Sequence, residues 1–296
     1  MKILIFGING NLGRYLTDYF KTRHDICSGE NLNKILFRLP NNIKIKKLIL
    51  KFTPDIIINL IAYADVKGCE LNIERALKSN VKAVTSIVSS INSKLIKIKP
   101  HLIHISTDHV YDGEGFKNEK ETKLLNNYAI TKFLGEKEIF NCNSTILRTN
   151  YIGKSRVGGR LSLGDWIVNS ISNKKEIAGF ADIKFNPIHV NTLCKIIDLV
   201  CKKKINGTFN VGAKGYISKY DYAIFLAKKL NLNIKLIKKG KSSSNNTVRR
   251  SNNTVRPSDM RMCIKKFEEI FRYKMPSMHD ELIKNIKDYD CNEQKN

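Results

Sequence analysis

A chain of 296 residues, 42% hydrophobic and 27% charged, is long enough for one large or two small domains around a substantial core and reads as an ordinary soluble globular protein. Its formal charge of +25 is mostly lysine spread along the chain, without an arginine-rich stripe or aromatic–basic interleaving. It is read as composition bias, and no nucleic-acid partner is expected. The opening apolar run, Ile3 to Phe6, is too short for a signal peptide and no window approaches a membrane span, so a cytoplasmic protein with no membrane partner is expected. Seven cysteines, Cys27, Cys69, Cys142, Cys194, Cys201, Cys263 and Cys291, show no Cys-x-x-Cys and no His at metal spacing. Buried free thiols and no metal site are the expectation.

Lys2 to Phe6 is a continuous apolar run, as in a parallel strand buried on both faces. It enters Gly7-Ile8-Asn9-Gly10-Asn11-Leu12-Gly13 and then the helical pattern Tyr15, Leu16, Tyr19, Phe20. Gly-x-x-Gly-x-x-Gly between a strand and a helix N-terminus is a variant of the dinucleotide fingerprint. Gly7, Asn9, Gly10, Asn11, Leu12 and Gly13 are therefore the candidates for cradling a pyrophosphate. A second strand lies near Asp25 to Cys27. Asp25 and Glu30 are in range for an adenosine ribose, but neither sits cleanly at a strand end, which leaves NADH and NADPH both open.

Ile43 to Phe52 reads as a helix stopped by Pro54, and Asp55 to Leu60 as the next buried strand. Its exit, Ala62-Tyr63-Ala64-Asp65-Val66, falls at the carboxyl edge of the sheet, where open α/β sheets place ligands. A long helical region follows from Asn72 to Lys97; on spacing alone, Asn80 inside it is an incidental helix residue. His101 to Ile105 is another strand, ending in Ser106-Thr107-Asp108 at the same edge. His104 and His109 are read as packing or rim residues. Tyr128-x-x-x-Lys132, if helical, puts a phenol beside an ammonium, which favours phenolate and makes Tyr128 a usable general acid. Thr107 lies 21 residues earlier, room enough for its hydroxyl to converge on that phenol.

Ser144 to Arg148 is the next strand. The βα alternation specifies an α/β fold with a doubly wound parallel sheet (Rossmann) over residues 1–150. Residues 151–296 form a smaller α-rich half, whose segment about 187–212 is expected to pack back on that sheet. In this half, 153–164 reads as a loop, Trp166-Ile167-Val168 opens a helix capped by Asp165, and further helices cover 191–201, 218–230 (N-capped by Ser218), 262–271 and 278–289. Thr208 to Val211 is a short strand. The segment 240–256 is expected to be a mobile loop and 291–296 to fray.

Several landmarks stand in a telling order: Gly7-x-x-Gly10-x-x-Gly13, Pro54 to Asn59 with Ala62-Tyr63, Val66 and Glu70, Asn80, Ser106-Thr107-Asp108-His109-Val110-Tyr111-Asp112-Gly113, Tyr128-x-x-x-Lys132, Leu147-Arg148-Thr149, and Arg256-Pro257-Ser258-Asp259-Met260. Together they resemble the extended short-chain dehydrogenase/reductases, and within them the dTDP-4-dehydrorhamnose reductase family. Lys67, Asn150-Tyr151 and Phe185 to Val190 depart from that pattern.

The resemblance implies reduction of the C4 keto group of a nucleotide-linked 4-keto-6-deoxy sugar with NADPH or NADH, in surface-polysaccharide precursor synthesis. Tyr128 would then donate a proton to the carbonyl oxygen, Lys132 would lower its pKa and hold the nicotinamide ribose, and Thr107 would hydrogen-bond the carbonyl. Ala62, Tyr63 and Asn80 would line or support the cofactor site. The C-terminal half would bind the nucleotide sugar, with Thr107, Asp108, Asn150 and Arg256 as substrate-binding candidates. The resemblance leaves a homodimer open. Two further readings share the fold: a non-catalytic regulatory subunit resembling the methionine adenosyltransferase beta subunit, and a sugar-nucleotide epimerase or dehydratase.

Overall fold

The computed structural model describes residues 1–28, 42–139, 141–242 and 254–290. The chain forms two compact units, Met1–Val110 with Leu124–Arg148 and Cys194–Phe209, and Tyr111–Lys123 with Thr149–Leu193 and Asn210–Asn296.

The first unit is built on β1 (Lys2–Phe6), β2 (Asp25–Ser28), β3 (Ile56–Asn59), β4 (His101–Thr107), β5 (Ser144–Thr149) and the tenth strand of the chain, β10 (Gly207–Val211). Their order is β10-β5-β4-β3-β1-β2. β1 pairs in parallel with β2 on one side and β3 on the other, and β3 pairs in parallel with β4. The chain therefore winds away from β1 in opposite directions, and the gap between the exits of β1 and β3 is a topological switch point. All four residues of β3 are buried, as expected of a strand covered by helices on both faces. Helix α1 (Asn11–Phe20) buries Leu12, Tyr15, Leu16 and Phe20, a single stripe at helical spacing. Helix α2 (Asn42–Phe52) buries Ile45 and Ile49 in the core that also holds Leu4, Phe6, Ile57 and Leu102.

After α3 (Val66–Leu71), the long helix expected over 72–97 is shorter and broken. It consists of α4 (Ile73–Leu77), a π-helical turn Lys78–Lys82 and α5 (Ala83–Ile91). The Lys99 ammonium donates to the carbonyls of Ile91 (2.7 Å) and Ser93 (2.8 Å), closing the helix end earlier than the apolar pattern predicted. Helix α6 (Asn127–Lys137) carries the Tyr-x-x-x-Lys stretch and is N-capped by Asn126, whose side chain accepts from the Ala129 N–H at 2.9 Å.

The second unit pairs β6 (Tyr151–Ile152) with β9 (Ile188–His189), β7 (Ile177–Phe180) with β12 (Ile237–Gly240), and β8 (Lys184–Phe185) with β11 (Ile217–Ser218). These strands were absent from the sequence reading: β6, β8, β9 and β11 are two residues each and have no period to detect, and β7 and β12 are only four. Helix α7 (Leu163–Ser172) starts earlier than expected. Its cap is Ser162, and Asp165 is the reciprocal partner in a capping box instead of the cap itself. Helix α8 (Val190–Lys203) follows β9, and α9 (Lys219–Lys229) has the expected Ser218 cap. α10 (Lys265–Phe271) and α11 (Met278–Lys287) complete the helices among the described residues.

Cys69, Cys194 and Cys201 are buried free thiols, but Cys27, Cys142 and Cys263 are only half-buried, contrary to expectation; Cys27 stands on the edge strand β2. Glu30, Cys291, the core of the 240–256 segment (243–253) and the terminal 291–296 lie outside the described residues. No helix among the described residues is long and apolar enough to cross a membrane.

Candidate active site

The β1 exit makes a cradle that only glycine permits. Gly7 has φ +89°, and a Cβ there would lie 2.8 Å from the Leu60 carbonyl carbon at the β3 exit. A Cβ on Gly13 would lie 2.4 Å from the Ile8 carbonyl oxygen. The Gly10 N–H donates to the Gly7 carbonyl (3.0 Å), and α1 starts at once, with no acidic residue in its first turn and no side-chain cap. Backbone close to the surface at a positive helix end fits a pyrophosphate. Asn9 and Gly10 are exposed and Asn11 half-buried, whereas Leu12 is a core side chain that offers the loop only its backbone. Asp25 opens β2 opposite Lys2, at the end of the sheet away from this loop, so it is misplaced for a ribose.

Beyond β3, Ala62 and Tyr63 are half-buried. Asn80 is not incidental: it is fully buried on the π-helical turn. Its carboxamide accepts from the Tyr63 N–H (2.8 Å) and donates to the Tyr63 carbonyl (3.3 Å) and the Thr131 hydroxyl (3.0 Å). The extra residue of the turn aims this side chain inward, tying the β3 exit to α6. α6 in turn packs so close that a Cβ on Gly135 would lie 2.2 Å from the Asn80 carbonyl oxygen. Glu70 fixes the start of α6, accepting from the Asn127 backbone N–H (2.6 Å) and its side chain (3.0 Å).

Tyr128 is buried among Tyr63, Val66, Cys69 and Ala76. Thr107 ends β4, and its hydroxyl accepts from the His109 N–H at 3.1 Å. The His109 ring stands edge-on to Tyr128 with centroids 5.4 Å apart. His109, read as a rim residue, thus bridges the strand-end hydroxyl and the helical phenol. Asp108, only 1% exposed, accepts a long bond (3.4 Å) from the Thr107 hydroxyl and acts on Thr107 more directly than on solvent.

Lys132 is buried, and its ammonium donates to the Ile105 carbonyl at 2.8 Å. Burial lowers its pKa to about 8, while the Glu136 carboxylate four residues along the helix pulls it back up. Glu136 is clamped by the Arg148 guanidinium (2.6 Å) and accepts from the Ser106 hydroxyl. On the other side, Nε2 of the fully buried His104 is 3.5 Å from the Lys132 nitrogen, and its Nδ1 is 3.0 Å from the Asn59 carboxamide nitrogen. Burial, with the Lys132 charge, holds His104 well below its usual pKa, so it is neutral. The sequence reading missed His104, Glu136 and Asn59. Glu136 carried a signal, its i,i+4 spacing from Lys132; His104 looked like any inward strand residue. Chemically, the first unit carries a buried phenol, a strand-end hydroxyl and a buried ammonium, the kinds of group that can bind a carbonyl oxygen and give it a proton.

In the second unit, a cavity of about 320 Å³ is lined by Trp166, Phe180, Ile183, Lys219, Ser242 and Arg256, among others. Ser242 is held by Asp182, which accepts from its N–H (2.8 Å) and hydroxyl (2.7 Å). Flat aromatic walls with two cations suit a planar ring carrying an anionic group. Arg256 is among the residues that line this cavity. Asn150 does not line it; the Asn150 carbonyl accepts from the Ile188 N–H (3.0 Å) where β6 meets β9.

A switch-point sheet with a glycine cradle and a buried Tyr-x-x-x-Lys helix defines the extended short-chain dehydrogenase/reductase class. The chain belongs to the RmlD substrate binding domain family, whose model matches residues 1–291. It is 25% identical to dTDP-4-dehydrorhamnose reductase of Aggregatibacter actinomycetemcomitans, covering 97% of this chain and 99% of the relative. It is 24% identical to a probable low-salt glycan biosynthesis reductase of Haloferax volcanii, covering 75% and 78%. The crystal structure of dTDP-4-dehydrorhamnose reductase from Bacillus anthracis in complex with NADP has the same fold, with TM-score 0.84 at 22% identity over 97% of this chain and 98% of that one.

Proposed function

We propose that the protein reduces the C4 keto group of a nucleotide-activated 4-keto-6-deoxy sugar, dTDP-4-dehydrorhamnose to dTDP-rhamnose, using NADPH or NADH. It would do so in the cytoplasm, with a homodimer open to it, in the synthesis of surface-polysaccharide precursors. The observation that carries this reading is the gathering of Thr107, Tyr128 and Lys132 in the unit that also bears the glycine cradle, in a chain of the RmlD family.

The cradle of Gly7, Gly10 and Gly13 fits a dinucleotide pyrophosphate, with Ala62 and Tyr63, fixed by Asn80, as the neighbouring wall. When bound, the reduced nicotinamide supplies the hydride for C4. The chain's own groups manage the charge that develops on the carbonyl oxygen. The Thr107 hydroxyl hydrogen-bonds it, the Tyr128 phenol protonates it, and the Lys132 ammonium favours the phenolate left behind. Within the second unit, Trp166 and Phe180 offer faces for the nucleotide base, and Arg256 and Lys219 offer charge to the diphosphate.

The test is to mix the protein with dTDP-4-dehydrorhamnose and NADPH or NADH and follow the absorbance of the reduced nicotinamide. Oxidation that requires the sugar nucleotide is expected, and the faster cofactor is the physiological one. Tight cofactor binding without oxidation of it by this or other 4-keto sugar nucleotides would move the protein to the regulatory-subunit reading instead.

A further inference from the structure

The Lys132 ammonium meets two unlike neighbours, and the less obvious one is controlled from a third residue. Asn59 closes β3 with its side chain fully buried. Its oxygen accepts from the Ile61 N–H at 3.1 Å, which fixes the carboxamide and leaves its NH₂ facing His104 Nδ1 at 3.0 Å. Nδ1 must then be the acceptor. His104 is neutral, with one ring proton, so that proton sits on Nε2 and points at the Lys132 nitrogen. The 3.5 Å separation is long for an N–H···N bond, as befits a donor set against an ammonium. An amine at the same place would have a lone pair to accept that N–H while still donating to the Ile105 carbonyl.

We propose that Asn59 locks His104 in the Nε2–H tautomer and that this N–H, turned on Lys132, sets the lysine's proton affinity, making His104 a positioning residue that acts through Lys132. The inference rests on the proposed role of Lys132 in the reduction. The titratable groups that act on the ammonium are His104 from β4 and, on α6 itself, Glu136, paired with Arg148 from β5; Tyr128 stands four residues earlier on α6. Glu136 favours the ammonium and the His104 N–H disfavours it, so Lys132 passes readily between its two protonation states near neutral pH. The other tautomer would present a lone pair to Lys132 and pin it as the ammonium.

Asn59→Asp tests this with almost no change of shape. A carboxylate in that place accepts from the Ile61 N–H as before, but it also demands a proton on Nδ1, so the imidazole flips to Nδ1–H and accepts from Lys132. The readout is the NMR titration of labelled lysine in the cofactor-free protein, with the Lys132 signal assigned by its loss in Lys132→Met. Lys132 is expected to titrate near 8 in the native chain. In the variant it should rise by roughly one unit or more, the sum of an added hydrogen bond and an added charge. His104→Gln, which keeps a donor in reach of Lys132, should move it less than His104→Leu.

The ¹⁵N spectrum of the native imidazoles is independent of any variant's folding. His104 should show a pyridine-like Nδ1 and a pyrrole-like Nε2. A protonated Nδ1 in the native chain, or a Lys132 titration indifferent to Asn59→Asp, overturns the proposal. Neither reading depends on turnover, so a silent reductase assay beside a shifted lysine would defeat the proposed reaction and leave the tautomer lock standing.

Discussion

In the first unit β1, β3 and β4 pair strand to strand over four residues at a time, and one set of buried polar side chains, His104, Glu136 and Arg148, is linked around Lys132. In the second unit the strands are pairs of two to four residues, and much of the backbone is satisfied by side chains instead. Asn186 donates to the carbonyls of Ala213 (3.2 Å) and Met262 (3.0 Å) and accepts from the Met262 N–H (2.9 Å). Asn210 donates to the carbonyls of Lys117 and Cys263 and accepts from the Tyr111 hydroxyl at 2.7 Å. Glu281, with no exposed surface, accepts from the His189 N–H (2.6 Å) and the Thr192 hydroxyl (3.0 Å). A ladder spreads the cost of burial over many residues, while these side chains each hold two or three segments. The side chains named in the second unit serve the fold; those around Lys132 in the first are the ones the proposed chemistry would use.

If that division holds, the largest functional effect comes from one oxygen in the first unit. Tyr128→Phe should cut sugar-dependent nicotinamide oxidation roughly 100-fold or more, the range for losing a general acid. Folding and cofactor affinity, the latter followed by fluorescence titration, should stay near native. Unchanged turnover would remove Tyr128 from the chemistry. Next in size is Arg148→Leu, which leaves the Glu136 carboxylate buried beside Ser106 without its cation. Loss of one partner of a buried ion pair costs about 3–5 kcal/mol. Urea unfolding should show that loss, and adding Glu136→Leu should restore most of it, since the pair as a whole is worth far less than its broken half.

In the second unit, Asn186→Leu keeps the volume and removes the carboxamide, stranding two carbonyls and an N–H. It should cost about 2–3 kcal/mol on unfolding, with Lys132 titrating as in the native chain. A shift in that titration would mean the two kinds of polar network are not separable.

The same contrast explains what the sequence made readable. β1, β3 and β4 are apolar runs of four or more residues, so the sheet and the three site elements at its carboxyl edge were legible, as were Gly7, Gly13, Thr107, Tyr128 and Lys132. β6, β8, β9 and β11 are two residues each, and no periodicity marks Asn186 or Asn210 as structural. The π-helical turn at Asn80 was hidden because a π turn inserts one residue without altering the apolar pattern around it. His104 was hidden for a related reason: an inward histidine on a strand looks the same whether it packs or faces a lysine, and only the third dimension supplies Asn59 and Lys132.

The smallest effect has the opposite sign to the others. Burial takes Lys132 from 10.5 to about 8, so between those values the unfolded chain binds a proton that the folded one lacks. Stability therefore rises with pH across that window. Below pH 8 both states are charged and the folded one bears the whole penalty; at 1.36 kcal/mol per unit this is about 3 kcal/mol. Lys132→Met removes the penalty and fills similar space, but strands the Ile105 carbonyl, at a cost of about 1–2 kcal/mol. The variant should be more stable than the native chain by about 1–2 kcal/mol in urea at pH 7; as pH rises and the native chain recovers, the gap should close and by pH 10.5 reverse, leaving the variant less stable by about the cost of the stranded carbonyl. A variant less stable at pH 7 would mean that Glu136 and the Ile105 carbonyl solvate the ammonium fully. In that case the lysine would be a structural cation, like the buried polar groups of the second unit, and not a group held ready to lose its proton.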